Sequence, residues 1–354
     1  MFAWWGKAVV RLRWAVLAAG LAVAVVGVVW GIGVFGVLTG GGYADPASES
    51  SRAYDRITAT FGEQDVDLVV LYSSPTATVD DPAFRDAVGR TLAQVRARPE
   101  VASVTDWYTT PAPNLVATDR HATYAAIQLK ATDEDGLSGA YDRLKPVLAA
   151  DGLRTDLGGN VGFMRQANEQ STRDVARAEL LSMPVLLLLL VLIFGGLVAA
   201  GTPLLIGGLA IVGAFVAVRL ITLVADVSIF AINIITLIGL GMAIDYSLFV
   251  VSRFREELAA GRDPAEAVAR TVATAGRTVL VSGLTIALAL ASLLIFPQAF
   301  LRSMGMGGMA AVLVAMLAAL TVLPALLAVL GHRIDALRIP LPWRRRRPAG
   351  PAPV

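Results

Sequence analysis

The chain contains no cysteine, which removes disulfides, thiolate catalysis and cysteine-built zinc sites together. Its two histidines, His121 and His332, lie far apart in sequence, so a histidine-built metal centre is not expected. Of 30 basic residues only Lys7, Lys130 and Lys145 are lysines. That bias reads as the codon usage of a GC-rich genome, and no nucleic-acid partner is expected from it. Charge as a whole is short. Charged residues make up 16% of the chain, against about 25% in soluble domains. With 56% hydrophobic residues and a mean hydropathy of +0.65, the deficit points to a bilayer. No glycine run is followed by the Lys-Ser/Thr of a phosphate loop. Gly305-Met306-Gly307-Gly308 reads instead as a close-packing patch, and Gly40-Gly41-Gly42 as a linker at a membrane exit. Neither an enzyme nor a cofactor is indicated, so energy for any work must come from an ion gradient or a partner.

What is present is organised by charge. Residues 39–179 hold 14 basic and 21 acidic side chains, whereas the remainder is basic overall. Six stretches, at about 14–38, 180–200, 203–224, 229–252, 278–297 and 303–330, match the roughly 20 helical residues that a hydrocarbon core of about 30 Å requires. Lys7, Arg11 and Arg13 precede the first, which is too long for the apolar region of a secretory signal, despite the small residues around Gly42-Tyr43-Ala44. An uncleaved anchor is therefore expected. Alternation then puts residues 39–179 outside and residues 201–202, 253–277 and 331–354 inside. Arg253, Arg255, Arg262, Arg270, Arg277 and Arg344 to Arg347 fall on the inner side, as the positive-inside rule requires. Both termini are expected in the cytoplasm of a multi-pass cell-membrane protein, with Arg219 reaching outward from late in its helix. Within the inner loop, Asp263-Pro264-Ala265-Glu266 reads as a capping box opening a surface helix over 264–275. The Arg- and Pro-rich end, 331–354, reads as a tail contacting anionic lipid.

The acidic block reads as a small α+β domain. Strands are expected at 67–73, 101–108, 121–130 and 154–157, with helices at 81–96 and from Thr132 or Asp133 to about 150. That order, β-α-β-β-α-β, is the split ferredoxin-like arrangement. A further helix over 163–179 is expected to run straight into the second span. The fold class expected is thus an α-helical membrane protein of six spans carrying an external ferredoxin-like porter domain.

The chemistry is concentrated in the fourth span, which holds Asn233, Gly239, Gly241, Asp245 and Tyr246. Asp245 lies roughly 10 Å inside the inner hydrocarbon boundary at 1.5 Å of rise per residue. A carboxylate there costs on the order of 3 kcal/mol, a cost that calls for a function. Burial favours the neutral form of a carboxyl group, which suits a site that loads and releases protons. One proton falling through 100 mV yields about 2.3 kcal/mol, comparable with the bias between two transporter conformations. Adjacent helical residues point about 100° apart, so Asp245 and Tyr246 are better placed to meet another helix than each other. A packed, structural aspartate is the alternative. Ser282 lies at similar depth on the fifth span; it either joins this site or bonds back to its own helix. Asn233 and Thr236 read as packing residues between helices.

The run from Gly239 through Asp245-Tyr246-Ser247 to Arg253-Phe254-Arg255-Glu256-Glu257 strongly resembles the signature of MMPL lipid transporters, the actinobacterial branch of the RND superfamily. The resemblance covers the whole chain: one span, a porter-like domain, five more spans and a closing Leu323-Pro324-Ala325-Leu326-Leu327. It implies export of lipids or other hydrophobic molecules driven by the proton-motive force. Asp245 and Tyr246 map onto the family's proton relay and Ser282 onto its fifth-span serine; Gly239 and Gly241 thin the helix and read as packing at the relay. Family members carry two such halves whose Asp-Tyr pairs bond across their interface. The resemblance therefore implies a partner: a second half, or a second copy in a homodimer. Two other readings share the architecture, a Sec-like secretion-motor subunit and a lipid sensor or scaffold that transports nothing.

Overall fold

The computed structural model of the chain describes residues 2–337 apart from Tyr43, Ala44, Pro46, Glu63 and Gln64. The run Arg344 to Arg347 and most of the expected tail lie outside the described residues. The chain divides into two compact units, one of Met1–Asp45 with Arg177–Val354 and one of Pro46–Ala176. The first opens with α1 (Phe2–Arg11) and α2 (Arg13–Val29), the latter prolonged by a 3₁₀ stretch, Gly31–Gly36. The sequence reading gave α1 no separate identity. It is amphipathic, and its Gly6 closes to 2.8 Å of Ala269 measured from an ideal Cβ position, a contact that a larger side chain would prevent.

The sheet unit begins with α3 (Glu49–Phe61), also unforeseen, capped by Ser48 whose Oγ accepts the Ser51 N–H at 3.2 Å. It continues as β1 (Leu68–Ser73), α4 (Pro82–Arg96), β2 (Val101–Thr105), β3 (Ala122–Leu129), α5 (Glu134–Leu144) and β4 (Arg154–Gly158). The strands form one antiparallel sheet in the order β2-β3-β1-β4, the ferredoxin-like arrangement. Alternation decides the faces: Leu68, Val70 and Tyr72 of β1 and Ala125, Ile127 and Leu129 of β3 point into the core. Phe84, Val88, Leu92 and Val95 of α4 and Tyr141 and Leu144 of α5 cover them. β2 stops short of its expected end because Asp106 takes the N–H groups of Tyr108 and Thr109 and starts a turn. Pro146 likewise ends the fifth helix early.

The helix α6 (Asn160–Phe194) is continuous over 35 residues. It is followed by α7 (Leu197–Ile221), α8 (Phe230–Ile234), α9 (Leu240–Ala259), α10 (Pro264–Ala291), α11 (Ala299–Leu320) and α12 (Val322–Leu330). Among the described residues, 6 stretches are long and apolar enough to cross a membrane: Arg13–Gly36, Asn160–Phe194, Leu197–Ile221, Phe230–Ala259, Pro264–Ile295 and Ala299–Asp335.

Three boundaries differ from expectation. The turn between the second and third spans falls at Gly195, with φ of 68°, rather than at 201–202. Pro203 stays inside α7, and the Ala199 carbonyl that it leaves without its usual donor is taken by the Thr202 hydroxyl at 2.9 Å. The loop expected on the inner side is also shorter than 253–277. α9 runs to Ala259, and α10 runs unbroken from Pro264 into the fifth span, so no separate surface helix exists. Its first turns are buried at Ala267, Val268 and Val272, with Gly6 and Phe2 of α1 against Ala269 and Gly276. The expected capping box is not made: the Asp263 side chain caps nothing, and Glu266 pairs with Arg270 at 3.1 Å instead.

Candidate functional site

The fourth span is one rod in three pieces: α8, a π-helical turn over Ile235–Gly239, and α9. The π turn escaped the sequence reading; its only trace is the β-branched run Ile234-Ile235-Thr236, which crowds an α-helix. Such turns rotate every following side chain relative to those before it. Thr236 returns its hydroxyl to the Asn233 carbonyl at 3.3 Å. Glycines bring α11 against this rod. An added Cβ would stand 2.9 Å from Ala311 at Gly239, 2.9 Å from the Ala231 carbonyl at Gly307, and 2.9 Å from Ile234 at Gly308. The 305–308 patch thus packs helices, as its composition indicates. Gly241 does not: nothing lies within 4 Å of its open side, so packing inside this chain is a property of Gly239 alone.

The four-residue spacing of Leu237, Gly241, Asp245 and Phe249 puts them on one face, and all four are exposed. Asp245 has no hydrogen-bond or ion-pair partner among the described residues. Tyr246 and Ser247 turn inward and are buried. Ser247 is occupied locally, its hydroxyl donating to the Ala243 carbonyl at 2.6 Å. The Tyr246 hydroxyl is buried without a partner of good geometry, yet Ser282 of α10 is near enough to interact with it. Tyr246 and Ser282 therefore meet across the α9–α10 contact, while Asp245 looks away from both.

Toward its C-terminal end α9 is tied down by ion pairs. Glu257, 3% exposed, receives both Arg253 and Arg262. Arg253 also reaches Glu256 at 2.7 Å. Arg255 donates to the Phe194 carbonyl at 2.9 Å and pairs with Asp335 at 2.7 Å, joining the ends of three helical segments. The arginines that the sequence presented as a topological signal are thus also structural clamps. Toward the other end, Arg219 lies over the Trp30 ring at 5.9 Å. Among the described residues, no three His, Asp or Glu side chains are grouped as metal ligands.

The MMPL family model matches residues 42–353. The probable trehalose monomycolate exporter MmpL3 of Mycobacterium leprae is 38% identical over 97% of this chain and 38% of its own length. A putative membrane protein of Streptomyces coelicolor is 44% identical over 86% of the chain and 43% of its own length. The mycolic acid-containing lipids exporter MmpL11 of Mycolicibacterium smegmatis is 31% identical over 96% of the chain and 36% of its own length. The chain thus spans less than half the length of these relatives. With six apolar spans, a ferredoxin-like sheet unit and a family match over most of its residues, the chain belongs to the MMPL family of RND-type membrane transporters.

Proposed function

We propose that this chain forms one half of a lipid exporter driven by the proton-motive force, with Asp245 as its proton-carrying group. The observation that carries this reading is the exposure of Asp245. An acid facing hydrocarbon costs on the order of 3 kcal/mol, and this chain offers it no partner among the described residues. A second helix bundle laid along Leu237, Gly241, Asp245 and Phe249 supplies one, and Gly241 leaves room for close approach. The partner is a second half or a second copy of this chain. Tyr246, buried, and Ser282, half-buried, hold the helix that carries Asp245 in register with α10. In this reading the termini and Arg253 to Arg277 face the cytoplasm and the sheet unit faces outward, where it guides apolar cargo. Two of these relatives are named as a probable trehalose monomycolate exporter and a mycolic acid-containing lipids exporter, and a long-chain lipid is the cargo class proposed for this chain.

The test is Asp245→Asn in the assembled protein, reconstituted in proteoliposomes and assayed for lipid export under an imposed proton gradient. Loss of gradient-driven export with the fold and assembly intact is expected. Export at the wild-type rate would sink the relay.

A further inference from the structure

Positive charge gathers on α1 without a counterion. Residues 1–44 contain no acidic residue, and their basic ones are Lys7, Arg11 and Arg13. On α9 and α10, by contrast, Arg253, Arg255, Arg262 and Arg270 each meet a carboxylate. Lys7 and Arg11 are exposed and meet none among the described residues. Trp4, Lys7 and Arg11 follow the i, i+3, i+7 spacing of one helix face, and Trp4 is 70% exposed. The opposite face is fixed to the bundle. Gly6 and Val9 are buried, Gly6 against Ala269 of α10. The Trp5 indole donates to the Leu320 carbonyl at 3.0 Å. That carbonyl lacks its usual helical donor, because the residue four further on is Pro324. One side of α1 therefore ties the first turns of α10 to the break between α11 and α12, and the other side presents cations. We propose that the Trp4, Lys7 and Arg11 face of α1 binds the phosphate group of an anionic phospholipid in the adjoining leaflet. The site is independent of Asp245 and of any proton relay.

Three observations support it. The first is depth. Arg11 precedes the apolar stretch that starts near residue 14 by about 5 Å of helix, and the headgroup layer adds roughly 5–8 Å to each side of the hydrocarbon. Lys7, one turn further out, reaches the same phosphate with its long side chain. The second is charge. An arginine already paired with a carboxylate has spent its attraction, whereas Lys7 and Arg11 keep theirs. Each basic side chain at an anionic leaflet strengthens binding about fivefold. The third is the aromatic company. Trp4 and Trp14, the latter 66% exposed, bracket the two cations, and tryptophan settles at the boundary of headgroup and chain. The span that follows, α2, exposes Leu21, Val25 and Val29, so the same flank of the chain faces hydrocarbon a few turns on. That continuity favours a lipid over an acidic protein as the occupant. An amphipathic helix with tryptophan and basic residues on its outer face is the element that suits such a surface.

The absence of cysteine allows a single reporter to be placed beside the site in the full chain. Leu12 is 56% exposed and adjacent to Arg11. Leu12→Cys is labelled with bimane in phosphatidylcholine nanodiscs, and nitroxide-labelled phosphatidylglycerol or phosphatidylcholine is added in rising fraction. Half-quenching should need between about fivefold and 25-fold less phosphatidylglycerol than phosphatidylcholine, and the preference should shrink at about 1 M salt. It should vanish in Lys7→Gln/Arg11→Gln and survive in Lys7→Arg/Arg11→Lys. The same label at Leu288→Cys, on an exposed part of α10, should show no preference. Equal quenching by the two lipids at Leu12→Cys overturns the site. So does a preference that persists after both charges are removed. If the preference is absent and Lys7→Gln/Arg11→Gln instead releases a bound acidic protein, the face serves a protein and the proposal fails likewise.

Discussion

The sheet unit holds its buried acids with internal partners, and the membrane unit does so for Glu257 but not for Asp245. In the sheet unit, Asp67 and Asp106 are 7% and 3% exposed, and each is held by the backbone. Asp67 accepts the Leu129 N–H at 2.7 Å. Asp106 accepts the Tyr108 N–H at 2.8 Å, the Thr109 hydroxyl at 2.8 Å and the Arg96 guanidinium. In the membrane unit, Asp245 stands on an exposed helix face with no such partner. The sheet unit resolves its polar groups internally, because water surrounds it and a core must be excluded from that water. The membrane unit pairs Glu257 with Arg253 and Arg262 but leaves Asp245 without an internal partner among the described residues, the condition that the proposed proton-carrying role requires. Under the proposed function, that difference separates structural polarity from functional polarity within a single chain.

Truncations should separate the units most sharply. Phe84→Ala removes a side chain buried in the sheet unit's core and should cost about 3–5 kcal/mol. It should be seen as lost hydrogen-exchange protection of β1 and β3. Leu288→Ala, at a position 72% exposed on α10, should change stability by less than about 0.5 kcal/mol. Equal costs would show that Leu288 is covered by protein rather than lipid. Backbone approach gives the next largest effect. Gly159 has φ of 91° and an added Cβ would lie 2.6 Å from the Asp67 carbonyl, so Gly159→Ala should cost about 2–3 kcal/mol. Gly307→Ala has ordinary helical geometry and meets Ala231 at 2.9 Å; about 1–3 kcal/mol is expected as α8 and α11 are pushed apart. A thermal scan in detergent that ranked Gly307→Ala above Gly159→Ala would reverse the comparison.

The same contrast governs what could be read before the structure. Alternation across Leu68, Val70 and Tyr72, with Pro82 and Asp133 opening helices, located the sheet unit's strands and principal helices, because water imposes a period on such elements. In the membrane unit both faces are apolar, so only length and punctuation remained. Punctuation misled at Gly201-Thr202-Pro203, where Thr202 repairs what Pro203 breaks. It was silent at Ile235–Gly239, where a π turn leaves no composition of its own. Asp245 was legible because charge in a span is rare; its outward direction was not, since direction depends on the register that the π turn sets.

A smaller effect follows from Arg96, which supports Asp106 from a half-exposed position. Arg96→Met should cost only about 1 kcal/mol, because the Tyr108 and Thr109 donors remain. A loss several times larger in hydrogen-exchange protection of α4 would mean that the backbone turn cannot hold Asp106 alone.

The finest test of internally resolved polarity is Asp67. Burial pushes its carboxyl above the usual carboxylate range, the Leu129 N–H opposes that push, and Asp65 adds to it. A folded-state value above the unfolded one, near 3.9 for aspartate, means that the folded form binds the proton more tightly. Stability is then greatest below the unfolded value. It falls as pH rises through the interval between the two values, and levels off above the folded value. Asp67→Asn keeps an oxygen to accept the Leu129 N–H but carries no charge, so it should flatten that slope. At neutral pH the variant should lie within about 1 kcal/mol of the parent. Urea unfolding of the two proteins across the acid range, read by hydrogen exchange of the β1 and β3 amides, measures the slope. Parallel curves would mean that Asp67 pays no burial penalty in the fold. The sheet unit would then tolerate a buried charge as freely as the membrane unit exposes one, and the distinction between their acids would rest on Asp245 alone.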